Sequence, residues 1–316
     1  LSSSSAASDV YKRQLQDLDI VLFDLQDIGC RIYTYIATLK YFLEACAPLG
    51  VEVWILARPN PAGRPIDGLY LQPGAESFVG CDELPTRHGL TTGELAAWFV
   101  NKNKLDTKIN VIKMLDYQPN AAPGYGWPTE MPWINPSPNA SSLNMARCFA
   151  GTVLLEGTLL SEGRGTTVPL EIIGGPGFPS QQIIDKLVAE VPHWIDGVLL
   201  RSCFFEPTFH KHQGLLCAGI QIHTGMQNYD HETFQPYRLI AGMLKVCHQL
   251  NPEQPLWRDF HYEYESNRIA IDVINGGSTL RTWVEDPQAE LASLDALLQP
   301  DIARWQDERA NYLIYP

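Results

Sequence analysis

The sequence predicts an α/β protein, with a parallel sheet and crossover helices in the first half and an α+β arrangement in the second. Short apolar runs recur at 19–27, 51–57 and 109–115, and segments with helical apolar spacing lie between them. Strand, helix and strand at this spacing form a βαβ unit, whose crossover is expected to be right-handed. At 316 residues the chain is long enough for two domains.

Helix boundaries in the first half are marked by individual residues. Thr91 and Glu94 have the spacing of a capping box, which assigns Glu94 a structural role. Pro48 and Gly50 end the preceding helix. In chain order the predicted elements are a strand at 19–27, a helix at 33–50, a strand at 51–57, a helix at 92–103, and strands at 109–115 and 151–157. The proline-rich segment at 116–140 is predicted to be an ordered binding loop.

The second half combines helices with two apolar stretches that partly alternate. Helices are predicted at 180–191, at 234–250 and near the carboxyl end, and strands at 197–205 and 215–223. We place a domain boundary near residue 177, between a first domain at 15–177 and a second at 178–316. Residues 1–14, LSSSSAASDVYKRQ, are of low complexity and lack the apolar core of a signal peptide, so we expect a leader foreign to the fold.

Composition narrows the classes of ligand. The net charge of -13 leaves no basic stripe for phosphates, which argues against nucleic acid, and no apolar run approaches the roughly 20 residues that span a bilayer. The seven cysteines form no CxxC pair and are expected to be buried thiols. The motifs of dinucleotide, P-loop, serine-hydrolase and zinc-protease sites are absent. His210 and His212 lack a third ligand, so neither a metal nor another cofactor is predicted.

Polar and aromatic residues gather where the predicted strands end. In a parallel sheet, ligands bind at the carboxyl ends of the strands, and this composition suits a sugar. The candidates are Asp27, Arg31, Tyr33 and Tyr35 after the first strand, Arg58, Asn60 and Asp67 after the second, and then His88, Asn139, Glu156, Glu162 and Arg164.

Several of these residues have structural alternatives. Asp27 could cap the next helix or pair with Arg31. Asn60, between two prolines, could bond its own backbone in a turn, and His88 could support the turn before Thr91.

The segment LLEGTLLSEGRGTT at 154–167 favours a functional role. Glu156 ends an apolar run, and the glycines that follow permit tight turns beside a ligand. Burial and neighbouring charges at such a place can tune a carboxyl group for acid or nucleophilic chemistry. The alternative is a surface loop in which Glu156 and Glu162 form salt bridges with Arg164.

Taken together, these segments resemble the exo-β-N-acetylmuramidases of the NamZ type. The resemblance covers essentially residues 18–316. It is carried by DLQDIGCRIYTYIATL (24–39), ARPNPAGRPIDG (57–68), SFVG (77–80), RHGLTTGELA (87–96), PSPN (136–139), LLEGTLLSEGRGTTVPLE (154–171), FEPTFHKHQGLLCAGIQIH (205–223) and the closing NYLIYP.

The resemblance implies a Rossmann-like catalytic domain, a smaller α+β domain and a substrate cleft between them. It implies a glycoside hydrolase that needs no nucleotide cofactor and removes N-acetylmuramic acid from the non-reducing ends of peptidoglycan fragments. We then expect Glu162, Glu156 and Asp27 to be catalytic, with Asp27 orienting the acetamido group or the water. The expected substrate-binding residues are Arg31, Tyr33, Tyr35, Arg58, Asn60, Asp67, His88, Asn139 and Arg164.

Two departures from the family pattern stand out. Family members usually have a preceding βα region with a Pro-Glu-His-Gly motif, whose glutamate is a leading catalytic candidate, and no segment here matches it. The first domain is therefore expected to be incomplete at its amino end. Asp67 also stands where the family usually has glutamate.

Two other functions stay open at this point: a non-catalytic muropeptide-binding protein, or another carbohydrate-active hydrolase. From the substrate alone, we expect a periplasmic or secreted protein. The sequence gives no indication of oligomeric state.

Overall fold

The computed structural model describes residues 14–225, 227 and 229–316, so almost all of the predicted leader lies outside the described residues. The strands are β1 (Ile20–Phe23), β2 (Glu52–Leu56), β3 (Asp67–Tyr70), β4 (Pro85–Arg87), β5 (Ile109–Ile112), β6 (Ile172–Gly175), β7 (Leu199–Phe205) and β8 (Cys217–His223). The helices are α1 (Tyr35–Cys46), α2 (Thr92–Lys102), α3 (Leu143–Thr152), α4 (Ser180–Glu190), α5 (Pro236–Leu250), α6 (Ala270–Asn275), α7 (Thr279–Glu285) and α8 (Ser293–Arg309). The predicted mixed α/β class is confirmed.

A parallel sheet in the order β1–β2–β5 organises the first half. Burial alternates along β2, where Val53 and Ile55 are fully buried between partly exposed neighbours. Apolar side chains of α1 and α2, among them Leu39 and Phe99, share one core cluster with these strand residues. This confirms the predicted strands and helices of the βαβ pattern.

The predicted capping box opens α2. The Thr91 side chain accepts a hydrogen bond from the Glu94 amide, and the Glu94 carboxylate accepts one from the Thr91 amide at 2.8 Å. The same carboxylate receives both terminal nitrogens of Arg64, at 2.7 and 2.8 Å, and the Ile314 amide at 2.9 Å. Glu94 is fully buried, and these hydrogen bonds connect the start of α2 to the last residues of the chain.

The predicted strand at 151–157 is wrong. Helix α3 runs to Thr152 and continues as a 3-10 turn at Val153–Gly157. Val153, Leu154 and Leu155 are all buried there, although consecutive side chains would point to opposite faces of a half-exposed strand. A short apolar run fits a buried strand and a buried helix equally well, so the pattern could not separate them. Glu156 therefore lies on a helical turn.

The second half is built on an antiparallel sheet in the order β6–β8–β7. Strands β7 and β8 and helices α4, α5 and α8 confirm the predicted elements, whereas β6 was not predicted. Strand β6 precedes residue 177 and pairs with β8, and α3 packs against α5. The boundary near 177 stays a prediction.

All seven cysteines are free thiols, as predicted; five are buried, whereas Cys203 and Cys247 are half-buried. Within the described part of the chain, no helix is long and apolar enough to cross a membrane.

Replacing Glu94 by glutamine tests the buried ion pair at the start of α2. The Glu94→Gln variant leaves the Arg64 guanidinium buried without a counter-charge, so we expect the free energy of unfolding to fall by about 3–5 kcal/mol. Urea titration followed by circular dichroism measures this loss. The control is Glu52→Gln, because Glu52 pairs with the exposed Lys108. Equal losses of unfolding free energy in the two variants would contradict a stabilising role for the buried pair of Glu94 and Arg64.

Candidate active site

A cavity of about 270 Å³ lies where the helical turn at 153–157 meets the loop at 137–139. Four of the predicted site residues line it, namely Tyr33, Asn139, Glu156 and Arg164. They come from three separate segments of the sequence. We refer to this space as the Glu156 cavity.

The carboxylate of Glu156 is held by two donors. Nη2 of Arg164 donates to its Oε1, and the hydroxyl of Tyr262 donates to its Oε2 at 2.7 Å. Burial raises the pKa of Tyr262 well above its usual value, and the charge of Glu156 adds to this, so the phenol stays a donor. Tyr262 also lines the Glu156 cavity, and the sequence did not indicate it.

Glu162 lies behind the cavity, fully buried. Nζ of Lys211 is 2.8 Å from its Oε2, while Nε of Arg164 and Nδ1 of His210 are each 3.2 Å from its Oε1. Burial alone would raise the pKa of Glu162, but Lys211 and Arg164 outweigh it and the pKa is lowered. Glu162 is therefore an anion at neutral pH that positions Arg164, and its catalytic role stays a prediction.

Asp27 and His88 form a second buried group. The Asp27 Oδ2 accepts the Gly29 amide at 2.7 Å and lies 3.8 Å from Nε2 of His88. Oδ1 of Asp27 and Nε2 of His88 have no hydrogen-bond partner among the described residues. Burial raises the pKa of Asp27 to about 7. Burial, with a contribution from Arg309, lowers the pKa of His88 to about 3, so the imidazole is neutral.

Tyr33 lies on the wall of the Glu156 cavity. Burial raises its pKa above the usual range, and the charge of Asp27 contributes to the same shift. The hydroxyl has no partner meeting hydrogen-bond geometry in the described structure. Asp27 does not line the cavity, so its catalytic role stays a prediction.

Three other predicted residues are held in folding contacts outside the cavity. Arg31 is buried and donates to the carbonyls of residues 274 and 275, at 3.2 and 2.7 Å. Asn60 closes its own turn by accepting the Ala62 amide at 2.9 Å. Asp67 is buried against Arg238, with 2.9 Å between Oδ1 and Nη1. The structure does not bring these side chains into the Glu156 cavity.

Tyr35 supports the loop that carries Asn139. Its hydroxyl donates to the carbonyl of Pro136 at 2.7 Å. This contact fixes one wall of the Glu156 cavity and needs no ligand.

A larger cavity of about 730 Å³ opens beyond β2 and β5. Of the predicted residues it contains only Arg58, whose Nε pairs with Oδ1 of Asp24 at 2.6 Å. Tyr117 and Trp127 also line it, and both are buried. The smaller cavity contains the ion pair of Glu156 and Arg164 with the hydroxyl of Tyr262, so we take it as the candidate active site.

Possible metal ligands do not converge here. Nε2 of His212 is 2.8 Å from the Leu159 carbonyl oxygen, and His210 faces Glu162. In the residues described, no group of three histidine, cysteine, aspartate or glutamate side chains could hold a metal ion.

The fold and the cavity define an α/β protein whose polar pocket offers a carboxylate, a guanidinium, an amide and phenols, as a sugar site requires. The family model for the N-terminal region of the exo-β-N-acetylmuramidase NamZ matches residues 4–144, and the model for its C-terminal region matches residues 147–315. The chain belongs to the NamZ exo-β-N-acetylmuramidase family.

Individual relatives agree with this assignment. The chain is 34% identical over 308 residues to the peptidoglycan β-N-acetylmuramidase NamZ of Bacillus subtilis (strain 168), covering 95% of this chain and 68% of that protein. Two solved DUF1343-family proteins of Bacteroides fragilis NCTC 9343 have the same fold. One has a TM-score of 0.79 at 24% identity, covering 96% of this chain and 77% of the other. The second has a TM-score of 0.72 at 26% identity, covering 100% and 78%.

The raised pKa of Asp27 predicts a specific dependence of stability on pH. The folded protein keeps the proton up to about pH 7, whereas the unfolded chain loses it near the ordinary value of 3.8. The contribution is therefore fully present below about pH 4 and is lost as the pH rises to about 7. Across this range we expect the free energy of unfolding of the wild type to fall by roughly 2–4 kcal/mol relative to Asp27→Asn.

Urea titrations at several pH values measure this difference. Asp259→Asn, at an exposed aspartate, is the matched control and should follow the wild type at every pH. A constant difference between Asp27→Asn and the wild type would show that Asp27 does not retain its proton.

Proposed function

We propose that this chain is an exo-β-N-acetylmuramidase, a glycoside hydrolase that releases N-acetylmuramic acid from the non-reducing ends of peptidoglycan fragments. The observation that carries the proposal is the Glu156 carboxylate, held by Arg164 and Tyr262 in a small polar cavity. It occurs in a chain that belongs to the NamZ family. Its ligands are amino-sugar saccharides derived from peptidoglycan.

The cavity offers a partner for each polar group of the sugar. The side-chain amide of Asn139 and the hydroxyl of Tyr33 suit the hydroxyls and the acetamido group. The lactyl group of muramic acid carries a carboxylate, which a guanidinium binds well. Arg164 uses Nη2 for Glu156 and Nε for Glu162, so its planar fork keeps further N–H donors for this carboxylate.

Of the three predicted catalytic acids, Glu156 is the one that lines the cavity and is in direct reach of a bound sugar. Glycoside hydrolysis passes through a transition state with positive charge on the sugar ring, which a fixed carboxylate stabilises. The same carboxylate can take a proton from the attacking water. Arg164 and Tyr262 fix its orientation before the substrate arrives.

Glu162 and Asp27 lie in the protein around these groups. Glu162 holds the Arg164 side chain. Asp27 is buried outside the cavity, beside His88. We propose that the protein acts in the periplasm or outside the cell, because peptidoglycan lies outside the cytoplasmic membrane.

Hydrolysis of the disaccharide of N-acetylmuramic acid and N-acetylglucosamine tests the function. We expect the full chain to release N-acetylmuramic acid, and Glu156→Gln to lower kcat by about 100-fold or more, because the amide can neither stabilise the cationic ring nor accept a proton. Product release is followed by chromatography. Glu253→Gln, at an exposed glutamate, is the control. Calorimetric binding of the disaccharide without turnover by the wild type would indicate a binding protein instead.

Glu162→Gln separates the two glutamates of the loop. Because Lys211 would be left buried without its counter-charge, we expect the free energy of unfolding to fall by about 3–5 kcal/mol. Thermal unfolding of both variants measures the difference. Glu156→Gln retains both neighbouring donors, so its melting temperature should stay close to that of the wild type. A Glu156→Gln variant less stable than Glu162→Gln would contradict the assignment of Glu162 as the buried charge and Glu156 as the residue facing the cavity.

A further inference from the structure

Glu263 adds a second carboxyl group to the Glu156 cavity. It lines the cavity next to Tyr262, in a segment that the sequence did not single out. This segment lies 106 positions from Glu156 along the chain, as the contact between Tyr262 and Glu156 shows. Folding therefore brings two carboxyl groups from distant parts of the sequence to one small space.

Glu263 occupies a tight two-residue turn. The Tyr262 amide donates to the Glu265 carbonyl at 3.2 Å, and the Glu265 amide donates back to the Tyr262 carbonyl at 2.9 Å. Glu263 and Tyr264 have φ values of 45° and 70°, in the left-handed region where asparagine and glycine are the usual residues. The backbone conformation therefore gives no reason for a glutamate at position 263.

The turn is fixed to the first half of the protein. Arg268 donates to the carbonyls of Ala75 and Glu76, at 2.8 and 3.0 Å, and pairs with Glu265 at 2.9 Å. The ring of Tyr264 packs edge-on against Phe78, with centroids 6.3 Å apart. These contacts, together with the hydrogen bond from Tyr262 to Glu156, hold the turn on the rim of the cavity.

The two carboxyl groups have different environments. Glu156 is paired with Arg164 and Tyr262, whereas Glu263 has neither a salt bridge nor a side-chain hydrogen bond within the described structure. Glu263 is exposed on the rim of the cavity, yet the desolvation that remains there raises its pKa, and the charge of Glu156 adds to this. Tyr33 is a further titratable group that lines the cavity. A carboxylate held by cationic and phenolic donors, beside an unpaired carboxyl group whose pKa is raised, is the pattern of glycosidase base and acid groups.

We propose that Glu263 is a catalytic residue, the general acid that protonates the leaving group of the glycoside. The inference rests on the proposed function. The Glu263 carboxyl group transfers its proton to the glycosidic oxygen while the bond from that oxygen to the anomeric carbon breaks and its electron pair stays on the oxygen. Water adds to the anomeric carbon and gives a proton to Glu156. Exchange with solvent then removes the proton from Glu156 and restores one to Glu263, so that one water is consumed in total.

The test compares two leaving groups on the full chain. The disaccharide releases a sugar alkoxide that needs a proton, whereas a dinitrophenyl β-glycoside of N-acetylmuramic acid releases a phenolate that does not. For Glu263→Gln we expect kcat on the disaccharide to fall by about 100-fold or more, and kcat on the dinitrophenyl glycoside to stay within about 10-fold of the wild type. The alkaline limb of the disaccharide pH–rate profile should also disappear. Glu253→Gln is the matched control.

The outcomes separate the two proposals. An equal loss on both substrates, or an unchanged rate on both, with an active wild type would remove Glu263 as the acid and leave the function intact. A wild type inactive on both substrates would end the proposed function and this inference with it. If Glu263→Gln does not fold, Glu263→Asp keeps a carboxyl group; it should retain the alkaline limb at reduced kcat, and loss of that limb would contradict the role.

Discussion

The site depends on the ion pairs that the buried carboxylate of Glu162 forms with Lys211 and Arg164. An unpaired charge in this position would cost several kcal/mol, so Glu162 must keep its cationic partners. One partner, Lys211, also donates to the carbonyls of Leu155 and Leu160, at 2.7 and 2.9 Å, on either side of Glu156. The other, Arg164, reaches forward to Glu156. The geometry of the cavity wall therefore follows from satisfying one buried anion.

The glycines around this anion have a steric reason. Gly163 and Gly165 both have positive φ, at 79° and 86°. A Cβ on Gly165 would lie 2.5 Å from the carbonyl oxygen of Phe209, so a larger residue would push apart the segments that carry Glu162 and Lys211. In LLEGTLLSEGRGTT the glycines thus allow the close backbone approach that the buried ion pairs of Glu162 require.

Local patterns in the sequence predicted the parts of the fold that depend on neighbouring residues. The capping box of Thr91 and Glu94 and the helices of both halves are of this kind. The strand at 151–157 was mispredicted because burial on all sides hides the difference between helix and strand. Residue type alone also could not separate Asp67, which is consumed by a buried ion pair, from Glu156, which faces the cavity. Tyr262 left no local pattern, because its contact is formed only by folding.

The central claim is that the sugar binds in the cavity shared by Tyr33, Asn139, Glu156 and Arg164. A crystal structure of the Glu156→Gln chain with the disaccharide of N-acetylmuramic acid and N-acetylglucosamine tests it most directly. We expect the muramic acid ring in this cavity, with its lactyl carboxylate on Arg164. Electron density for the sugar in the larger cavity beside Arg58 instead, with the smaller one empty, would contradict the account.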